Sequence, residues 1–277
     1  MRFKFFLITL LISFSMCTKK KPTKVTYIAN MGFMIDTQNN KILIDALFGE
    51  KELGYCDTPD SNIIQEMIEG KGTFKDIDLV LATHNHQDHF HAPYVQQFLE
   101  NNPKAGFISS FQATNKLSQN KQIISLTPKK LSKLETLQKD IKITFFRLPH
   151  SSNMISDELS GEKYNKHEKV ENVGILIETD GVKIFHSGDS YAGLPDEFEK
   201  YKLQNEGIDI AILDRIYLFN ENGQKVVKDQ INPKHLIIGH INPRRKEMFK
   251  KFANKLSADY FSVKVFENKM DVEVYSF

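Results

Sequence analysis

Residues 83–91 read Thr-His-Asn-His-Gln-Asp-His-Phe-His, which puts four side chains able to ligate a metal, His84, His86, Asp88 and His89, within six positions. Neutral imidazole and ionised carboxylate are ordinary zinc ligands at about 2.0–2.2 Å. The run follows Ile77-Asp78-Leu79-Val80-Leu81-Ala82, an apolar stretch suited to a buried strand. Alternate residues of an extended chain point the same way, so His84 and His86 can grip one cation where the strand ends. Asp88 and His89 come after the chain has turned and can serve a second cation beside the first. A surface cluster that merely traps metal would need neither the strand nor the aspartate.

A site for two ions needs further ligands, and His and Asp recur at strand ends downstream. His150 closes the strand-like run Ile141–Pro149, Asp189 lies in His186-Ser187-Gly188-Asp189-Ser190 just after Val182–Phe185, and His240 follows Leu236-Ile237-Ile238-Gly239. Two divalent ions about 3.5–4 Å apart can share a hydroxide and lower the pKa of its parent water toward neutrality. That supplies a nucleophile without any Ser, Cys or Thr, while the second ion acts as Lewis acid on a carbonyl or phosphoryl oxygen. Two such cations, offset by Asp88, Asp189 and a hydroxide, leave a net charge of about +1, which favours a developing oxyanion or an anionic phosphoester. Asp88 also suits a catalytic part, receiving or returning a proton.

The order H-x-H-x-D-H, a later His, Gly-Asp and a last His resembles the metallo-β-lactamase superfamily, from about Val25 to Pro243. The resemblance implies an α/β fold, the four-layer αββα sandwich. It also implies that His84, His86 and His150 hold one ion, that Asp88, His89 and His240 hold a second, and that Asp189 bridges them. The cofactors implied are two divalent metal ions, zinc first, with manganese and iron also suited to His and carboxylate ligands. Within the superfamily, Asp88–Pro93, Ile208–Leu213 and Asn232–Leu236 are similar to the branch of ascorbate-6-phosphate lactonase and N-acyl-phosphatidylethanolamine phospholipase D. Two departures bear on the substrate: His91 stands where that branch has Asp, and Asn30 stands near a common Gly-His-Ser/Ala-type turn. Aspartate rather than cysteine at position 189 argues against the lactamases that use a thiolate there. Asp45, at the end of Lys41-Ile42-Leu43-Ile44-Asp45, resembles the family's early aspartate near the site, and a turn or cap role accounts for it equally well.

Substrate contacts are less marked. Ser151, directly after His150, can reach a substrate oxygen or cap its own loop, and His91 can touch substrate or simply start a helix. His186 reads as a structural support, His235 as a packing or surface residue, and His167 as part of a solvated stretch. Arg215 and Tyr217 follow an apolar strand. Arg244 and Arg245 follow His240 and suit either phosphate binding or the exposed start of a helix.

Positioning these groups requires many strands with helices between them. Strand-like runs occur at Val25–Ile28, Ile42–Asp45, Asp78–Ala82, Ile141–Phe146, Val173–Glu178, Val182–Phe185, Ile208–Leu213, Leu236–Ile238, Ser262–Phe266 and Asp271–Tyr275. Helical patterns fit Asn62–Glu69, Pro93–Glu100, Phe111–Leu117, Asp196–Tyr201 and Arg245–Leu256. Two packed sheets covered by helices satisfy that alternation. The polar stretch Ser152–Glu171 is long for a connector and is a candidate substrate lid. Lys129, Lys130 and Lys133 read as a solvated loop and helix face.

At 277 residues the chain suits one large core, and a net charge of +2 with 26% charged residues implies no nucleic-acid field. Met1-Arg2-Phe3-Lys4 is basic and Phe5–Met16 apolar, too short to span a bilayer and suited to a secretory signal. Cys17 then sits where a bacterial lipoprotein is lipidated. The expected organisation is a signal peptide over 1–17, a tether over 18–24 and a metallo-hydrolase domain over 25–277. If Cys17 is lipidated, Cys56 has no partner for a disulfide. The function expected is an exported dinuclear hydrolase acting on a phosphodiester, lactone or related ester, small or lipid-like, and membrane-tethered through Cys17. A β-lactamase-like amide hydrolase and a non-enzymatic metal-dependent sensing lipoprotein are the alternatives.

Overall fold

Strand Val173–Thr179 reads Val-Gly-Ile-Leu-Ile-Glu-Thr with nearly every residue buried, the mark of a strand covered on both faces. Its Val173, Ile175 and Ile177 enter one apolar cluster while Leu176 enters another. The same division runs through Lys41–Ile44, where Ile42 and Ile44 face inward and Leu43 outward. Every central strand therefore needs a second sheet on one side and helices on the other.

The computed structural model describes residues 21–49, 51–156, 162–191, 193, 195–219 and 221–277. The expected signal peptide, Cys17 and residues 18–20 of the tether lie outside the described residues. The strands, in chain order, are β1 Thr23–Ala29, β2 Gly32–Asp36, β3 Lys41–Ile44, β4 Leu79–Leu81, β5 Gly106–Ser109 and β6 Ile123–Ser125. There follow β7 Lys133–Gln138, β8 Ile141–Arg147, β9 Met154–Ser156, β10 Lys163–Asn165, β11 Val173–Thr179 and β12 Val182–His186. The last are β13 Ile210–Asp214, β14 His235–Gly239, β15 Ser262–Lys264 and β16 Val272–Tyr275.

They form two seven-stranded sheets, ordered β16-β1-β2-β3-β4-β5-β6 and β15-β14-β13-β12-β11-β8-β7, with β9 and β10 a separate hairpin. The core between the sheets joins Val25, Phe33 and Ile42 to Ile143, Ile175 and Ile212. Helices Ser61–Glu69 and Ala92–Asn101 cover the outer face of the first sheet through Met67, Val95 and Phe98. Phe198 of Pro195–Glu199 and Phe249 of Lys246–Leu256 help cover the second. This is the expected αββα layering. Among the described residues no helix is long and apolar enough to cross a membrane.

One expectation is corrected here. Lys133 does not belong to a helix: Lys133–Gln138 is an edge strand paired antiparallel with β8, from Lys133 opposite Phe146 to Gln138 opposite Ile141. Part of the candidate lid pairs as β9 and β10, with Ile155 opposite Tyr164.

One ion-dipole cluster joins the sheets at the end where β12 begins. Asp180 accepts hydrogen bonds from Thr37 Oγ1 at 2.6 Å, Asn39 Nδ2 at 2.6 Å and Asn39 N at 2.9 Å. The candidate site lies at the other end.

Candidate metal centre

Each candidate ligand lies in the segment just beyond a strand. The parallel pairings β3–β4 and β12–β13–β14 bring Asp45, His84, Asp189, Asp214 and His240 to one end of the sandwich. His150 joins them after β8, bridged to Ser190. Three residues here hold left-handed backbone: Asn30 at φ 52°, Asp45 at φ 47° and His240 at φ 55°. Such conformations in non-glycine residues cost on the order of 1–3 kcal/mol and gather at functional sites. Asn tolerates this region better than most residues, which is a physical reason for Asn30 at its turn.

The seven expected ligands form two groups. His84, His86 and His150 bring one ligand atom each within 4.8 Å of one another, as do Asp88, His89, Asp189 and His240. The triad rings stand with centroids 4.6–4.9 Å apart. Asp189 connects the groups, with Oδ1 3.1 Å from His89 Nε2 and Oδ2 3.2 Å from His240 Nε2 and 3.7 Å from His150 Nε2. Asp88 Oδ2 lies 3.4 Å from His240 Nε2.

The far side of each ring determines which nitrogen faces the centre. Asp45 is fully buried and accepts from Thr83 N at 2.7 Å, Thr83 Oγ1 at 2.6 Å and His89 Nδ1 at 2.8 Å. The Thr83 hydroxyl, having given its proton to Asp45, accepts from His84 Nδ1 at 3.0 Å. His150 Nδ1 donates to the Ser151 carbonyl at 2.9 Å. In all three rings Nδ1 is held by an acceptor and Nε2 faces inward, the arrangement that orients histidine toward a metal once Nε2 is unprotonated. His240 Nδ1 lies 3.5 Å from Asp214 Oδ2, and Arg215 Nη1 contacts both that nitrogen and the His240 carbonyl oxygen.

Those inward atoms suit a cation. His84 Nε2, His89 Nε2, His150 Nε2 and Asp189 Oδ1 are buried without a hydrogen-bond partner. The 3.1 Å approach of His89 to Asp189 lacks hydrogen-bonding geometry, so its short distance does not satisfy either atom. Each buried polar atom left so costs about 1–3 kcal/mol, and a shared cation would satisfy them together. The donor set of imidazole and carboxylate suits zinc, manganese or iron.

Electrostatically the halves differ. Burial holds the His84 imidazole well below its ordinary pKa, draws His150 down, and takes His86 to about 4 with help from His150. In the other half burial also opposes charge, yet Asp189, Asp88 and Asp45 outweigh it at His89 and push its pKa well up. Against the same burial, Asp189 and Asp214 raise His240 to about 10. Asp189 is itself held far below the carboxylate range: burial works against this, and His240 and His89 overcome it. A bound cation would take the place of the protons that these carboxylates otherwise draw onto His89 and His240.

Gly188 shows why glycine precedes Asp189. Its φ is +54°, and an added Cβ would lie 2.6 Å from Asn172 Oδ1 and 2.9 Å from Thr83 Cβ. Asn172 Oδ1 in turn accepts from the Asp189 amide at 3.2 Å.

A basin of about 660 Å³ opens onto the cluster, lined by His86, Asp88, His150, Ser151, Asp189 and His240 among others. Ser151 is among the lining residues, with Oγ 3.3 Å from His150 Nδ1. Asn30 is buried and donates from Nδ2 to the Asp88 carbonyl at 3.1 Å. His91 does not line the basin: it stands at the start of helix Ala92–Asn101 with its ring 4.2 Å from that of Tyr94. His186 is the expected support, donating from Nε2 to the Met31 carbonyl at 2.9 Å and accepting from Gly188 N at 3.0 Å. His235 packs on Tyr275 as expected.

Sequence reasoning missed three contributors. Asp214 ends the apolar run of β13 much as Asp45 follows β3, and that parallel was a usable signal. Thr83 carried no signal beyond its place next to His84. His167 corrects the solvated reading: its ring lies 4.3 Å from His150 and 4.9 Å from His86, and its Nδ1 donates to the Ser151 carbonyl at 3.0 Å. Tyr217 is fully buried against Ser190 and does not line the basin, whereas Arg244 and Arg245 sit in the turn before the last helix.

Residues 40–258 match the family model described as Beta-lactamase superfamily domain. Igni18, a metallo hydrolase from the archaeon Ignicoccus hospitalis, is similar at TM-score 0.59 and 17% identity, over 93% of this chain and 100% of its own. YhfI, a metallo-β-lactamase fold protein from Bacillus subtilis, is similar at TM-score 0.58 and 13% identity, over 91% and 100%. CmlA, a diiron β-hydroxylase from Streptomyces venezuelae, gives 0.58 at 10% identity, over 94% of this chain and 55% of its own. At these identities the likeness is one of fold. No curated protein sequence matches the chain.

Proposed function

This chain belongs to the beta-lactamase superfamily and has the metallo-β-lactamase fold, and from that premise we propose that it is an exported dinuclear metal-dependent hydrolase. The bond proposed for cleavage is a phosphodiester, lactone or related ester. The observation that carries this reading is the convergence of His84, His86, Asp88, His89, His150, Asp189 and His240 at one end of the sandwich, under an open basin. His84, His86 and His150 would hold one ion, and Asp88, His89 and His240 the other, with Asp189 shared. When bound, such ions supply Lewis acidity and lower the pKa of water toward neutrality.

The remaining work falls to the chain's own groups. Asp45, through Thr83 and His89, keeps inward lone pairs on His84 and His89. Asp88, steadied by Asn30 and facing His240, is placed to take up and return a proton. Ser151 offers a hydroxyl to a substrate oxygen at the rim of the basin.

Zinc is the metal proposed, and manganese or iron would suit the same donors. The branch likeness at Asp88–Pro93 supports the phosphodiester and lactone readings. Hydrolysis of bis(4-nitrophenyl) phosphate and of γ-butyrolactone, with and without chelator, tests the proposal. Chelator-sensitive phosphodiester turnover supports the phosphodiesterase reading, and lactone turnover alone the lactonase one. Turnover of neither by metal-loaded protein would overturn the ester-hydrolase assignment.

Export and tethering rest on the sequence of residues 1–17 and on Cys17. A Cys17→Ala variant should leave the membrane fraction after a salt wash. A variant that stays there would defeat lipid anchoring.

A further inference from the structure

The basin over the metal centre has two walls of unlike charge. Its carboxylates are Asp88 and Asp189, which group with His89 and His240. Over the His84–His86–His150 triad the lining instead carries Lys116 and Lys166. Lys116 is anchored to this wall by a contact of 3.4 Å from Nζ to the carbonyl of Asn85, the residue between His84 and His86. Lys166 precedes His167, whose ring lies against both His86 and His150. Lys166 is further held by its backbone N–H, which donates to the Asn153 carbonyl at 2.9 Å.

Among the described residues neither lysine has a carboxylate partner. By contrast Lys183, Lys234 and Lys246 reach carboxylate oxygens at 3.2, 2.7 and 2.7 Å. Two cations thus face one basin with no carboxylate partner among the described residues, beside a triad whose three ligands are imidazoles. We propose that the substrate carries an anionic group, a phosphate monoester or a carboxylate set apart from the bond that is cleaved, and that Lys116 and Lys166 receive it above the His84–His86–His150 triad. This inference rests on the hydrolase reading given above. It fixes the orientation of the substrate, because the lining of the basin carries no other lysine or arginine.

The lysines are exposed, so their effect is modest singly, about fivefold each at the upper end for an exposed charge pair. The test compares the zinc-loaded full chain with its K116Q/K166Q variant. Calorimetric titration with inorganic phosphate should give an affinity about tenfold weaker in the variant, and a steeper loss of affinity with added NaCl in the unsubstituted protein. Kinetically, the preference for 5-oxotetrahydrofuran-2-carboxylate over γ-butyrolactone should fall by a similar factor. Equal phosphate affinity in both proteins, or an unchanged preference, would overturn the inference. If neither lactone nor any phosphodiester is hydrolysed, the hydrolase reading fails by itself, and phosphate affinity alone decides whether the lysines form an anion site.

Discussion

Replacing Asp45 with Asn separates the part this residue plays in folding from its part in metal binding. The carboxylate is fully buried and accepts three hydrogen bonds, from Thr83 N, Thr83 Oγ1 and His89 Nδ1, at 2.6–2.8 Å. Asn is close in shape and tolerates the left-handed backbone at φ 47°. Its amide nitrogen, however, brings a donor where the carboxylate had only acceptors. The Thr83 hydroxyl can turn to accept, but His89 Nδ1 must then lose either its partner or its proton. One unsatisfied buried donor costs about 1–3 kcal/mol, within the 5–15 kcal/mol that holds a typical domain together. If the proton instead moves to Nε2, the lone pair aimed at the centre is lost. Loss of such a supporting partner typically weakens metal affinity by about 10–100-fold, or about 1.4–2.7 kcal/mol. Asp45→Asn should therefore fold, melt several degrees lower, and give up zinc to a competing chromogenic chelator at correspondingly lower concentration. Calorimetry and chelator competition read the two effects separately. A folded variant with unchanged zinc affinity would refute the argument that Asp45 sets the tautomer of His89.

Further outcomes follow from other positions. Asp189→Ala removes the carboxylate shared by His89, His150 and His240, and should lose at least one ion and most turnover while far-ultraviolet circular dichroism is retained; two ions with normal turnover would contradict the bridging assignment. His91→Ala should leave KM and kcat within about twofold of the parent, because its ring rests on Tyr94 outside the basin, and a large KM change would return it to the substrate path. Asp180 joins the sheets through Thr37 and Asn39, and although burial opposes it, these hydrogen bonds hold its carboxyl below the usual range. Its stabilising contribution is therefore present above the unfolded-state pKa of about 3.9 and lost as pH falls through the lower folded value. Urea unfolding of Asp180→Asn should show a deficit at pH 7 that shrinks below about pH 4, and an equal deficit at pH 3 would contradict the linkage.

The residues of the candidate metal centre stand out in the sequence because part of the cluster is local. His84, His86, Asp88 and His89 lie within six residues, and His150, Asp189 and His240 each follow a short apolar run that reads as a strand. Strands buried on both faces, such as Val173–Thr179, were equally plain. What escaped depends on tertiary contact. Lys133–Gln138 is polar with good helix formers, and only pairing with Ile141–Arg147 makes it a strand, an override expected at sheet edges. Gly32–Asp36 was hidden behind the Asn30–Met31 turn, and Gly106–Ser109 and Ile123–Ser125 are too short to show a period. Lys166 and His167 sit in a polar stretch with no pattern. Only the β9–β10 hairpin carries them over the triad, and the approach of His167 to His150 spans a fold that no local spacing encodes.

The two groups of ligands should hold two ions. Elemental analysis of the purified protein, after equilibration with zinc and removal of excess by gel filtration, tests it most directly. The account predicts two metal ions per chain, falling with Asp189→Ala. A well-folded sample that retains none or one, and is not restored by zinc, manganese or iron, would contradict it.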